Sequence, residues 1–244
     1  WEGLNTLPGV AYTVNRYETF PTPEEFNALI DADADAALGV WITKAFINED
    51  FFRTHPKCKY IAGLAHGYEE MDFSVSRRYG VTITNTAYGA STIAEFAFSL
   101  LLDICHKVEL HSRYVKQTRW WEPNAPKYTY ALTKQMELCG LTFGVVGLGK
   151  IGWHAARIAQ GFGMKVISYN RHLKTGPEYD FIEQVSLDEL FARADVISLH
   201  APLNASTRYM INRDSIAKMK DGVILINTAR GSLVDEDALV EALR

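Results

Sequence analysis

The chain has 244 residues, 25 basic against 29 acidic side chains, a net charge of −4, and is 48% apolar. That composition supplies cores for one large or two modest domains and lacks the basic footprint of a nucleic-acid binder. Its most apolar stretch, residues 93–105, is interrupted by Glu95, Ser99 and Asp103 and is too short to cross a bilayer.

Taken in chain order, apolar runs alternate with helical patterns. Residues 10–14 (VAYTV) read as a strand. Thr22 followed by Pro23 opens a helix, because proline suits a first turn whose N–H has no partner. Residues 36–41 (AALGVW) form a second strand, 48–55 a helix, 59–64 (KYIAGL) a third strand, 69–79 a helix, and 81–84 (VTIT) a fourth strand. Ser91 or Thr92 caps a long amphipathic helix that continues to Gln117. Residues 118–140 hold two prolines and many aromatics without a period, which reads as an arm or inter-domain crossing. A second strand–helix series follows, with strands LTFGVV, MKVISY, DVISL and GVILIN and helices opening near Lys150, Leu187 and Asn212. Such alternation predicts an α/β protein of two doubly wound parallel-sheet domains, with the seam between residues 90 and 140. Cys58, Cys105 and Cys139 are widely spaced and form no ligand pattern, so no metal site is expected. They read as reduced thiols of a cytoplasmic protein.

The stretch FGVVGLGKIGWHAARIAQGFG sets Gly147, Gly149 and Gly152 between a strand and a helix. In that context the spacing predicts a dinucleotide-binding loop. Gly147 permits the tight turn, Gly149 lets backbone approach a pyrophosphate, and Gly152 lets helix pack closely on strand. The helix N-terminus, with Lys150 and Ile151 in its first turn, offers unpaired N–H groups to the anion. The end of the next strand reads on cofactor choice. A cofactor without a 2′-phosphate usually meets an acid there, but this chain has Asn170, then Arg171, His172 and Lys174, and no carboxylate from Trp153 to Pro177. Arg171 suits a phosphate, which favours NADP over NAD; the alternative is a solvated basic turn beside NAD.

Three further stretches carry a resemblance. GLGKIG, SLHAPLNASTRYMIN and INTARGSLVDEDAL resemble the D-specific 2-hydroxyacid dehydrogenase family. In the N-terminal half, GLAHGYEEMDFSVSRRYGVTITNTAYGASTIAEFAFSLLLDICHKVELHS resembles its glycerate dehydrogenase and hydroxypyruvate (glyoxylate) reductase branch. The resemblance implies a flavodoxin-like substrate-binding domain over residues 1–90. It also implies a Rossmann NAD(P)-binding domain over 91–244 that includes the long helix and a dimerisation arm, with a cleft between the two. The implied reaction is hydride transfer between NAD(P)H and a small 2-oxo acid. Other members act on phosphoglycerate, lactate-like or formate substrates, and relatives of the fold serve as nucleotide-sensing corepressors.

By the same resemblance Arg230 grips the substrate carboxylate and carbonyl oxygen. That suits the chemistry, since negative charge develops on the carbonyl oxygen and a guanidinium spans neighbouring oxygens as a lysine cannot. His66 and Gly67 fall in the substrate loop, where the family more often has a small or aliphatic residue at position 66. His66 therefore reads either as a substrate contact or as a loop cap. Thr92, His200, Ala201, Pro202, Thr207 and Thr228 would line the cofactor site; for His200 a role as catalytic acid is the alternative. His106, His111 and His154 read as structural, and Glu137, Glu183 and the acids at 235–237 as solvated or capping groups. The family's catalytic Glu and His would fall beyond Arg244, and its first strand before residue 1, so the chain reads as clipped at both ends. A homodimer is expected through residues 91–117 and the arm, which carries Trp120, Trp121, Tyr128 and Tyr130.

Overall fold

The computed structural model describes all residues except 1–2, 4–5, 17, 40–42, 66, 69–70, 87–88, 120 and 124–131. The chain divides into two units, Trp1–Tyr88 and Gly89–Arg244.

In the first unit, Thr22 starts α1 (Pro23–Leu29) through a reciprocal cap. Its hydroxyl accepts from Glu25 N at 3.2 Å, and its own N–H donates to the Glu25 carboxylate at 2.8 Å. Each end satisfies a donor the helix leaves unpaired. β1 (Ala36–Gly39) leads to α2 (Glu49–Thr54), which Asn48 caps by accepting from Phe51 N at 3.1 Å. β2 (Tyr60–Gly63), α3 (Phe73–Arg78) and β3 (Thr82–Asn85) follow. α3 starts later than the pattern from residue 69 suggested, because the Asp72 carboxylate accepts from Ser74 N and Val75 N and so makes residue 72 the cap. The three strands are parallel in the order β1-β2-β3, with Ala37, Ile61 and Ile83 in register. Phe51 and Phe52 of α2 bury against Ile47, Cys58, Ile61 and Val81.

The strand expected over residues 10–14 does not form. That stretch has no regular structure, is exposed, and pairs with no strand among the described residues. Alternation supplies a strand's side-chain pattern; the ladder also needs a neighbour, and none pairs with it among the described residues.

The second unit begins with α4 (Ala90–His106) and α5 (Val108–Thr118). One continuous helix to Gln117 was the expectation; the chain instead turns at Lys107, in the left-handed region at φ 49°. Asp103 builds the break. Its carbonyl accepts Lys107 N at 2.7 Å, closing α4, while its carboxylate takes Glu109 N at 3.5 Å, opening α5. The cap also differs from expectation: Gly89 at φ 72° precedes α4, and Ser91 and Thr92 sit within the first turn. Trp120, Tyr128 and Tyr130 of the arm lie outside the described residues. Residues 135–138 return along α4, with Met136 N on Cys105 O at 3.2 Å and His106 Nδ1 beside Gln135 Oε1 at 2.9 Å.

The sheet of this unit is built from β4 (Thr142–Val146), β5 (Lys165–Tyr169), β6 (Glu183–Gln184), β7 (Val196–Leu199) and β8 (Ile224–Asn227). The helices are α6 (Lys150–Gly161), α7 (Leu187–Arg193), α8 (Arg213–Ile216) and α9 (Glu236–Ala242). β6 was not expected; two polar residues carry no apolar run to read. All pairings are parallel, in the order β6-β5-β4-β7-β8. The direction of winding therefore reverses between β4 and β7, as in a dinucleotide-binding sheet. α4 and α6 cover one face through Ala94, Phe98, Leu101, Ala155 and Ala159 on Phe143 and Val145. The other face buries Val146, Ile167 and Ile197 beneath Leu190 and Phe191 of α7.

Candidate active site

Parallel strands end at one edge of their sheet, so the segments that follow β4, β5, β7 and β8 all open there. These carry the glycine loop, Asn170–Arg171, His200–Ala201–Pro202 and Thr228–Arg230. In open α/β sheets that edge, at the reversal of strand order, is where ligands bind.

The glycines divide the work of the loop. Gly147 stands at φ 97°, and a Cβ there would come within 2.9 Å of the His200–Ala201 backbone. A Cβ on Gly152 would overlap the Gly147 carbonyl oxygen and crowd Val145, so only glycine lets α6 lie this close to β4. Gly149 is different: nothing stands within 4 Å of where its Cβ would be. It begins α6 with no side-chain cap among the described residues, and the first helical bond is Trp153 N to Gly149 O at 2.9 Å. The amides of Lys150, Ile151 and Gly152 precede that bond, so the helix start beside Gly149 offers donors of the kind an anion requires.

Asn170, expected beside the ribose, has its amide committed to backbone. Its Oδ1 accepts Leu148 N at 3.0 Å, and its Nδ2 donates to His172 O at 2.6 Å. It thereby ties the glycine loop to the end of β5, where Gly147 N also donates to Tyr169 O at 2.9 Å. Arg171 and His172 are exposed on the turn beyond it.

His200 is half-buried at the end of β7, its N–H on Val146 O at 2.8 Å and its Nε2 2.9 Å from Ser198 Oγ. Burial disfavours the imidazolium and pushes its pKa down to about 4. Burial thus favours the uncharged ring at neutral pH, which suits the wall role better than the alternative of a catalytic acid. Thr207 holds the turn after it: its hydroxyl accepts Asn204 N at 2.9 Å and donates to Pro202 O at 2.7 Å.

Arg230 is half-buried just past β8, positioned by a neighbour that the sequence reading passed over. Asn227 Oδ1 accepts Ala229 N at 3.0 Å, and its Nδ2 donates to Arg230 O at 2.9 Å. This Asx turn bends the chain at the strand end; an Asn between a strand and an Arg was its visible signal. Arg230 Nη1 donates to Ala229 O at 2.9 Å. Between them Thr228 buries a hydroxyl with no hydrogen-bond partner among the described residues, a group that a bound ligand would satisfy. Ser198, the partner of His200, was likewise unforeseen.

Thr92 is carried by the first turn of α4, and Gly67 by the loop after β2 in the first unit; His66 lies outside the described residues. Among the described residues no cluster of three metal-binding side chains occurs, and no helix is long and apolar enough to cross a membrane.

An open glycine loop, an uncapped helix start and an orphaned hydroxyl at one sheet edge fit a nicotinamide dinucleotide. Comparison with known proteins agrees. Residues 98–244 match the model of the D-isomer specific 2-hydroxyacid dehydrogenase NAD-binding domain. The whole chain is 36% identical to a hydroxypyruvate reductase of Blautia hydrogenotrophica, spanning 73% of it. It is 40% identical over 197 residues to a hydroxypyruvate reductase of Thermotoga maritima, covering 80% of this chain and 61% of that one. Among solved structures, a D-lactate dehydrogenase from Aquifex aeolicus complexed with NAD and lactic acid superposes with a TM-score of 0.74 at 32% identity, over 91% of this chain and 62% of that one. The chain belongs to the D-isomer-specific 2-hydroxyacid dehydrogenase family, nicotinamide-dependent oxidoreductases acting on the CH–OH group of small 2-hydroxy acids and reducing their 2-oxo counterparts.

Proposed function

We propose that the protein reduces hydroxypyruvate, glyoxylate or a similarly small 2-oxo acid, and that it prefers NADPH to NADH. The observation that carries the substrate reading is Arg230, bent by Asn227 onto the sheet edge that also bears the glycine loop. The bound nicotinamide supplies the hydride. Arg230 takes the substrate's carboxylate and the carbonyl oxygen, whose charge grows as the new C–H bond forms. The open N-terminus of α6 holds the pyrophosphate, with Gly149 giving it room. His200, neutral, keeps water and charge away from the wall beside Ala201 and Pro202. In this reading the first unit binds substrate through the loop at His66 and Gly67, and Thr92, Thr207 and Thr228 belong to the cofactor's surroundings. The NADPH preference rests on Arg171 and on the missing acid beside Asn170.

We assign a second copy of the chain to the exposed face of α4. Phe96, Leu100 and Ile104 recur every fourth residue, so they form one stripe, and they are 59%, 38% and 39% exposed. A stripe along one helix is self-complementary under a two-fold axis. A cytoplasmic setting suits the three free cysteines.

Arg230→Lys tests the substrate reading. It should keep the fold and the cofactor affinity while losing most of kcat/KM, because lysine keeps the charge but not the planar fork. Near-normal turnover of hydroxypyruvate and glyoxylate in that variant refutes the role.

A further inference from the structure

We propose that Gln184, on β6, is a positioning residue for cofactor choice, shaping the turn 170–174 into a ready-made seat for an adenosine 2′-phosphate. The inference rests on the NADPH reading above and adds a residue outside the phosphate's own contacts.

The turn is stapled at both ends by side-chain amides. At its start Asn170 joins Leu148 N to His172 O. At its end Gln184 makes a reciprocal pair with one backbone unit: Lys174 N donates to Oε1 at 2.7 Å, and Nε2 donates to Lys174 O at 2.7 Å. The pair imitates a strand ladder where β6 has only two residues to offer. What lies between the staples is solvent-facing. Arg171 and His172 are exposed and Leu173 is 76% exposed, so these three side chains contribute little packing to hold the turn.

Charge agrees with that geometry. No carboxylate occurs from Trp153 to Pro177. The acid next to Gln184, Glu183, is occupied elsewhere, taking both Nη groups of Arg193 at 2.7 and 2.6 Å. Consecutive strand residues point to opposite faces, so the pairing that draws Gln184 to the turn turns Glu183 away from it. Gln184 therefore presents a neutral amide where an acid would repel a phosphate. A seat that is already ordered loses less entropy when the anion arrives, and this benefit goes only to ligands that carry the 2′-phosphate.

The test compares four probes, NADPH, NADH, 2′,5′-ADP and 5′-AMP, by equilibrium binding to the intact protein. Gln184→Met keeps length and loses both hydrogen bonds. It should weaken NADPH and 2′,5′-ADP about tenfold, about 1.4 kcal/mol, and leave NADH and 5′-AMP within about twofold. Gln184→Glu keeps the acceptor, opposes the Lys174 carbonyl and adds charge, so it should shift the same ratio further; it is read alone if the methionine variant fails to fold. Combined with Arg171→Ala, the loss from Gln184→Met should shrink, since Gln184 acts through that turn. A wild-type protein that binds NADH more tightly than NADPH overturns the cofactor reading and this inference with it. A wild-type protein that prefers NADPH, with equal losses for all four probes or none, overturns the inference alone and makes Gln184 a purely structural staple.

Discussion

Two glycines three residues apart should fail in opposite ways. At Gly149 the backbone sits at φ −83°, ψ −166°, which alanine adopts, and an added methyl meets open space. Alanine caps a helix less well than glycine, by up to about 1 kcal/mol, but it also loses less freedom on folding, a gain of about 0.4–1 kcal/mol. These nearly cancel, so Gly149→Ala should leave the melting temperature within about 2–4 °C of wild type. The same methyl occupies the space above the helix start where the pyrophosphate is proposed to lie. Forcing that contact costs about 1–3 kcal/mol, or about 5- to 150-fold in the Kd of either NADPH or NADH. Gly152→Ala gains about 1 kcal/mol in helix propensity, yet its Cβ would overlap the Gly147 carbonyl oxygen and stand 3.0 Å from Val145 Cγ1. The carbonyl is backbone and cannot rotate away, so α6 must lift from β4. A net loss of about 1–2 kcal/mol is expected, lowering the melting temperature by about 2–8 °C. Circular dichroism melts and fluorescence titrations with both cofactors on the two variants decide the matter. If Gly149→Ala binds cofactor as wild type does, the open space above α6 is not the pyrophosphate site. If both variants lose equal stability, the division of labour between these glycines is wrong.

Arg171→Ala should weaken NADPH by about 1–3 kcal/mol, the range for a lost charge-assisted bond, and spare NADH; equal effects on both cofactors would leave the basic turn merely solvated. His200 should make stability fall in acid. Its folded pKa of about 4 lies below the unfolded value of about 6.5, so the unfolded chain binds the extra proton between those values. The contribution, about 3 kcal/mol, is fully present above pH ~6.5 and disappears as pH falls towards ~4. His200→Asn should flatten that limb in urea melts taken across the range, and an unchanged limb places the titrating group elsewhere. Phe96→Asp should convert the protein to monomers in sedimentation velocity at micromolar concentration; a wild-type protein that already sediments as a monomer removes the proposed partner.

Much of the fold was legible because it is local. The helix start at Thr22, the helices opening near Asn48 and Asn212, and the strands before the glycine loop and before Arg230 depend on residues adjacent in sequence, and they form close to where the pattern set them. The glycine spacing implied tight packing, and the contacts at Gly147 and Gly152 supply it. Residues 10–14 show the limit of such reading: an alternating run describes a strand's faces but cannot supply the neighbour it must pair with. The turn at Lys107 is a left-handed residue closed by Lys107 N on Asp103 O, a backbone event that apolar periodicity does not report. Tertiary structure alone decided which polar side chains are occupied. Asn170 stands where the sequence reads on cofactor choice, and only the structure shows its amide bridging Leu148 and His172. Gln184 and Lys174 lie ten residues apart and meet only because β6 pairs beside β5. His200 read first as a cofactor-wall group, and it is burial, invisible in the sequence, that favours its uncharged form. A sequence names the groups that can ionise or hydrogen-bond; desolvation and partnership are properties of the space around them, and that space exists only once the sheet has closed its strands together.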